Sequence, residues 1–131
     1  MAKSINDVIY SKLSNDGDVS AIVGTKIYPY LAIENIKYDY IVYEQTGVEP
    51  TDCKDGASTL DTVLFNIEMY SKTPSDLEDL STKVRTVLDR FGGTVETIVV
   101  QSIQFTGEDS GYADEDRVFM KIQQYRARIE K

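Results

Sequence analysis

Apolar residues recur at helical spacing near the start of the chain. Ile5, Val8, Ile9 and Leu13 fall on one stripe, with Ser4 placed to cap the first turn and Asp7 three residues on. The pattern predicts a helix over residues 4–15, ended by Asn15-Asp16-Gly17. Asp18 is expected to cap a short second turn carrying Val19, Ile22 and Val23, which Gly24 stops. Lys26-Ile27-Tyr28 reads as a brief strand whose pairing Pro29 ends on one edge. Residues 40–46 are β-branched and aromatic and read as a second strand. From Gly47 to Leu60 the composition turns to Glu, Pro, Asp, Lys, Gly and Ser, so a long loop is expected. It fits a binding arm and a plain surface excursion equally.

Across residues 61–71, Val63, Phe65, Ile67 and Met69 alternate with Thr62, Asn66 and Glu68, the mark of a half-buried strand. Leu64 and Tyr70 interrupt the polar face, which suits a partner covering it. Thr73-Pro74-Ser75 then breaks the strand, and Ser75 with Glu78 makes a capping box. The helix that follows presents Leu77, Leu80, Val84, Val87, Leu88 and Phe91 on one side, up to Gly92-Gly93. Burying those side chains is worth roughly 1.5–3 kcal/mol each. Ordering each backbone residue costs about 1–2 kcal/mol, so this helix has to dock on a sheet.

Ile98, Val99, Val100, Ile103 and Phe105 make another strand, and residues 107–116 form a polar, acidic turn. A final strand runs from Arg117 to Ile129 with Val118, Met120 and Ile122 on one face. Its parity slips near Gln123-Gln124, which predicts a bulge or an extension beyond the sheet. The expected fold is α+β: a mostly antiparallel four- to five-stranded sheet with two main helices packed on one face. Residues 1–131 are expected to form a single domain.

Charge and composition narrow the function. Twenty-two acidic against 14 basic residues give a net charge of −8, the wrong balance for holding phosphates. Sequence-specific nucleic-acid binding is therefore not expected. The charge is polarised: Arg117, Lys121, Arg126, Arg128 and Lys131 follow Glu108, Asp109, Asp114, Glu115 and Asp116. Copies of the chain could attract one another head to tail. The basic strand also fits two other readings, contact with phosphates and blunting of a sheet edge. No segment approaches the ~18 apolar residues of a membrane span, and the N-terminus does not read as a signal peptide.

Catalytic chemistry finds little footing. There is no histidine, so acid–base work falls to carboxylates. Asp52 with Asp55, and the 108–116 cluster, lie where solvated loop charges are expected. Asn15-Asp16-Gly17-Asp18 lacks the ligand alternation of a calcium loop, and the lone Cys53 has no histidine partner and no disulfide mate. No G-x-S-x-G and no metal-ligand cluster is present. No cofactor, no metal and no enzymatic activity is expected. Tyr28, Tyr30, Tyr38, Tyr40 and Tyr43 are the one unusual concentration. Tyrosine is favoured at interfaces, but such residues also line cores beside an edge strand.

The order of elements completes the reading. Ala21-Ile22-Val23-Gly24-Thr25-Lys26-Ile27-Tyr28-Pro29 leads to Tyr40-Ile41-Val42-Tyr43. A long strand closing on Met69-Tyr70-Ser71 follows, then a Leu77-x-x-Leu80…Val84-x-x-Val87-Leu88 helix. Over nearly the whole chain this resembles the tail-completion, or tail-terminator, proteins of long-tailed bacteriophages and prophages. The resemblance implies a ring, typically a hexamer, on the head-proximal end of the tail tube, which stops polymerisation and docks the head. It implies as partners the chain itself, the major tail tube protein and head–tail connector proteins. It also implies assembly in the bacterial host cytoplasm and DNA passing through the ring. The interface candidates are then Tyr28, Tyr30, Tyr40, Tyr43, Asp52, Asp55, Glu108, Asp109, Arg117, Lys121, Arg126 and Arg128. Another head–tail connector, such as a stopper, and a small regulatory or ligand-binding domain are the alternatives.

Overall fold

The computed structural model describes residues 4–30, 39–53, 56–113 and 118–130, with backbone alone at 50–53, 56–60 and 113. The N-terminal helix forms as its pattern requires. α1 (Ile5–Asn15) carries a complete capping box: the Ser4 hydroxyl accepts from the Asn6 N–H at 3.2 Å, and Asp7 accepts from the Ser4 N–H at 2.8 Å. Asp16, not Asp18, caps α2 (Gly17–Val23), accepting from the Val19 N–H at 3.0 Å. Either aspartate is chemically suited to the task. Asp16 takes it because its extended backbone lies just outside the helix. Gly24 ends α2 at φ 62°, a conformation that glycine reaches without strain.

The sheet is six-stranded, in the order β1-β2-β3-β6-β5-β4. Its members are β1 (Ile27–Pro29), β2 (Tyr40–Cys53), β3 (Gly56–Ser71), β4 (Gly93–Val95), β5 (Ile98–Ala113) and β6 (Val118–Glu130). Every pairing is antiparallel except β1 with β2, which is parallel. The expectation of four to five antiparallel strands is thereby corrected to six in a mixed sheet. The α+β class stands.

Several boundaries move for one shared reason. Polar composition does not end a strand whose backbone still finds a partner. The expected loop at 47–60 is instead the continuation of β2 and β3, paired from Gly47↔Leu64 out to Cys53↔Gly56 with irregularities after Gln45 and Pro50. The expected acidic turn is the continuation of β5 to Ala113, paired with β6. The anticipated bulge in β6 lies on β5 instead, where the register shifts at Gln101 and at Thr106. β6 itself runs in unbroken register with β3. Pro29 is the last residue of β1, an edge strand, and is paired with Tyr43.

α3 (Pro74–Leu88) is the third helix, against the two main helices expected. Its cap is Thr73, accepting from the Asp76 N–H at 3.3 Å, and Pro74 occupies the first turn. Ser75 is already inside the helix and cannot cap it. The helix stops at Leu88, before the glycine pair. Asp89 turns its carboxylate to the Phe105 N–H at 3.1 Å, the Arg90 N–H donates to the Ile103 carbonyl, and the Ile103 N–H donates to the Phe91 carbonyl. Gly92 is needed for close approach, since a Cβ there would meet the Gln101 carbonyl oxygen at 2.9 Å. The helices cover one face of the sheet. Ile5, Ile9, Leu13, Leu77, Leu80, Val84 and Leu88 pack there with Ile41, Val63, Phe65, Ile67, Met69, Ile103 and Ala127. The other face carries no helix among the described residues.

Candidate functional site

The bare face is built by strand parity. Directly opposed residues share a face, so the register places Tyr40, Val42 and Glu44 of β2 beside Tyr70, Glu68 and Asn66 of β3. Across the β3–β6 ladder it places Thr62, Leu64, Asn66, Glu68 and Tyr70 beside Arg128, Arg126, Gln124, Ile122 and Met120. β5 adds Ser102, Gln104 and Asp109. Tyr40 and Tyr70 stack at 4.7 Å between ring centroids, and the Tyr70 hydroxyl donates to Glu68 at 3.0 Å. Leu64, Tyr70, Met120 and Ile122 are half-buried, and Arg126 and Arg128 stand exposed beside them. The apolar interruptions Leu64 and Tyr70, together with Met120 and Ile122, thus converge on one strip.

The helix-covered face of β6 differs. Toward the β5–β6 end the core turns polar, and each polar group has a partner. The buried Tyr125 hydroxyl donates to Gln123 at 2.5 Å. The Gln123 amide donates to the Ser81 carbonyl at 2.9 Å and to Glu108 at 3.1 Å. Lys121 bonds Glu78 of α3 and lies 3.6 Å from Glu108. This chain ties the β5–β6 hairpin to α3. Burial, reinforced by the nearby Asp89 carboxylate, pushes the Tyr125 phenol well above its ordinary range.

The candidate interface residues separate accordingly. Tyr43 is only 5% exposed and belongs to the core, the second role open to these tyrosines. Its phenol is pushed up to about 12 by burial, with Tyr10, Asp7 and Tyr30 adding to the effect. Tyr28 is half-buried opposite Val42, and Tyr40 is half-buried on the bare face. Tyr30 is exposed at φ 63°, and its hydroxyl accepts from the Asn6 amide at 3.0 Å. Glu108 and Lys121 meet within the chain, so neither is a free charge awaiting a neighbour. Asp109 is exposed on the bare face. Asp52 lies on the far part of β2, paired with Ala57. Asp55, Arg117 and Tyr38 fall outside the described residues.

Gln123 and Ser81 were not singled out from the sequence. Their only signal was the polar pair Gln123-Gln124 inside an apolar strand. No group of three or more His, Cys, Asp or Glu among the described residues is placed to hold a metal. No described helix is long and apolar enough to cross a membrane. A groove of about 440 Å³ lies between α1, α3 and β4, lined by Ser11, Lys12, Asn15, Asp16, Thr86, Val87 and Val95. Those side chains offer hydroxyls, an amide and one ion of each sign, with no nucleophile–base pair.

Residues 7–130 match a family model described as Tail completion protein gp17. The chain belongs to this family. By that family it is a tail completion protein. A chain from a solved structure described as the virion of a native gene transfer agent (GTA) particle has the same fold. The TM-score is 0.79 at 18% identity, covering 94% of this chain and 92% of that one. A comparison with curated proteins gives no match.

Proposed function

We propose that this chain is a tail terminator. One domain over residues 1–131 assembles into a ring, typically a hexamer, on the head-proximal end of the tail tube. The ring ends tube polymerisation and offers the head its docking surface. It works without catalysis or cofactor, and it assembles in the bacterial host cytoplasm. Its partners are further copies of itself, the major tail tube protein and the head–tail connector proteins, with DNA sliding through its centre.

The observation that carries this reading is the family match together with a sheet face left bare. Leu64, Tyr70, Met120 and Ile122 gain nothing by standing half-exposed in a monomer, whereas an interface buries them. A six-stranded sheet with unlike edges suits a head-to-tail contact that closes on itself. The acidic balance suits a channel to which DNA must not adhere. Tyr28, Tyr30 and Tyr40 are the tyrosines available at such contacts. Asp52 lies on the hairpin arm with Asp55 near it in sequence, and Asp109, Arg117, Arg126 and Arg128 supply unlike charges.

Electron microscopy of particles made without this protein tests the reading. Overlong or headless tails are expected. Tails of normal length joined to heads would overturn it.

A further inference from the structure

Arg126 and Arg128 occupy an unusual position. They lie two residues apart on the bare face, both exposed, with the buried Ala127 between them pointing into the core. Leu64 and Gln104 flank Arg126 across the ladders, and Thr62 and Ser102 flank Arg128. None of these four neighbours carries charge. Glu130, next along the same face, is held by the Gln101 amide at 3.1 Å. Among the described residues neither arginine has an ion-pair partner. In a chain of net charge −8, two guanidinium groups on a neutral, partly apolar strip form a receptor for carboxylates.

Several acidic side chains of the same chain are already engaged. Asp7 and Asp16 cap helices, Asp79 pairs with Lys83, and Asp89 holds Arg85 and the Phe105 N–H. Glu78 and Glu108 hold Lys121. The β2–β3 hairpin is different. β6 ends opposite Leu60, so the part of the hairpin out to Cys53 and Gly56 projects beyond the last β3–β6 pair. The projecting part carries Asp52 in sequence, and just before it on β2 stand the exposed Glu49 and Val48, which is 47% exposed. An extended segment with carboxylates and an unburied apolar side chain complements a strip of Leu64 and Ile122 beside two arginines. Its own Glu49 shares a row with Arg128 two strands away, yet the two make no ion pair.

We propose that the bare face of β3 and β6 receives the β2–β3 hairpin of a second copy of this chain, with Arg126 and Arg128 binding the acidic side chains of that hairpin. The inference rests on the reading that the chain self-associates, and it names the receiving surface. The contact is heterologous, since hairpin and strip are different regions, and can therefore propagate around a ring.

Cys53, the sole cysteine, makes the test direct. In a Gln104→Cys variant the new thiol stands beside Arg126. Cys53 lies three strands away and six residues further along the hairpin than Gly47, which shares the row of Arg126. A disulfide needs Cα atoms within about 7 Å, so no bond can form within one chain. Mild oxidation of capped tails carrying Gln104→Cys is expected to yield disulfide-linked dimers and higher multimers, abolished by Cys53→Ser. Adding Arg126→Glu and Arg128→Glu should cut the linked fraction about tenfold or more. Glu49→Lys with Asp52→Lys should restore it.

No linkage in capped tails would overturn the proposal, as would linkage indifferent to charge reversal. Linkage from Cys53 to Asp109→Cys in place of Gln104→Cys would move the hairpin to the β5–β6 end and overturn it equally. The two readings fail separately. If particles lacking the protein have overlong tails and the linkage is absent, the terminator stands and this contact falls. If their tails are normal, the terminator itself falls.

Discussion

β3 presents the two faces of this molecule one residue apart. Val63, Phe65, Ile67 and Met69 are each 2% exposed or less beneath the helices. Leu64 and Tyr70, between and beside them, are half-buried with no helix over them. The side chains are chemically alike, and only parity separates them. On one face the apolar surface is consumed by folding. On the other it is left partly exposed. The alternation of the strand shows both faces only when each interruption is taken as signal.

The contrast can be broken most severely at Phe65. Phe65→Ala should cost about 3–5 kcal/mol in chemical denaturation, because it opens a cavity between Tyr125 and the helices. Leu64→Ala, its immediate neighbour, should cost less than about 1 kcal/mol. Equal losses would mean that the bare face is core.

A smaller loss is expected from Lys121→Met. It takes the ammonium from Glu78 and Glu108 and so removes one of the ties between β6 and α3, for about 1–2 kcal/mol by the same measurement. Hydrogen exchange should quicken along the far part of β5–β6 while the Phe65 region stays protected. Uniform quickening would show that the polar chain supports the whole core.

Alkaline titration sharpens the comparison from the buried side. Tyr43 keeps its proton up to about 12 when folded, against 10.0 for a free phenol. Below pH 10 both states are protonated and this contribution is fully present. As pH rises from 10 through 12, the unfolded chain gives up the proton first and stability falls. Tyr43→Phe should flatten part of that fall. An unchanged profile would mean that Tyr43 ionises as freely as a surface tyrosine. The smallest effect belongs to the bare face: Arg126→Glu with Arg128→Glu should leave monomer stability within about 0.5 kcal/mol. A larger loss would give these arginines a folding role instead of an interface role.

Legibility followed the same division. The α1 stripe, its Ser4–Asp7 capping box and the Val63–Met69 alternation could be read directly, because each is a local regularity produced by burial on one side. The outer halves of both hairpins could not. Their residues are polar and glycine-bearing, and their strand geometry comes from ladder partners supplied by another segment. β4 was hidden for a related reason. Its turn to β5 places Glu96 and Thr97 at φ 52° and 69°, without the Asn-Gly signature such a turn usually carries. The capping residues shifted by two at both α2 and α3, since several adjacent side chains were chemically able to serve. The interface candidates were the least legible. Tyr40 and Tyr43 differ only in parity, yet one reaches the bare face and the other is sealed in the core.

The amino-acid order alone settled the α+β class, the places of the principal helices and strands, and the family. These depend on periodicity and residue type, which a chain carries along its length. Tertiary structure alone decided which carboxylates were already engaged, that Lys121 turned inward to Glu78 and Glu108, and that Arg126 and Arg128 stand exposed with no ion-pair partner among the described residues. A charge finds its partner through space, across strands far apart in sequence, and no spacing along the chain records that meeting.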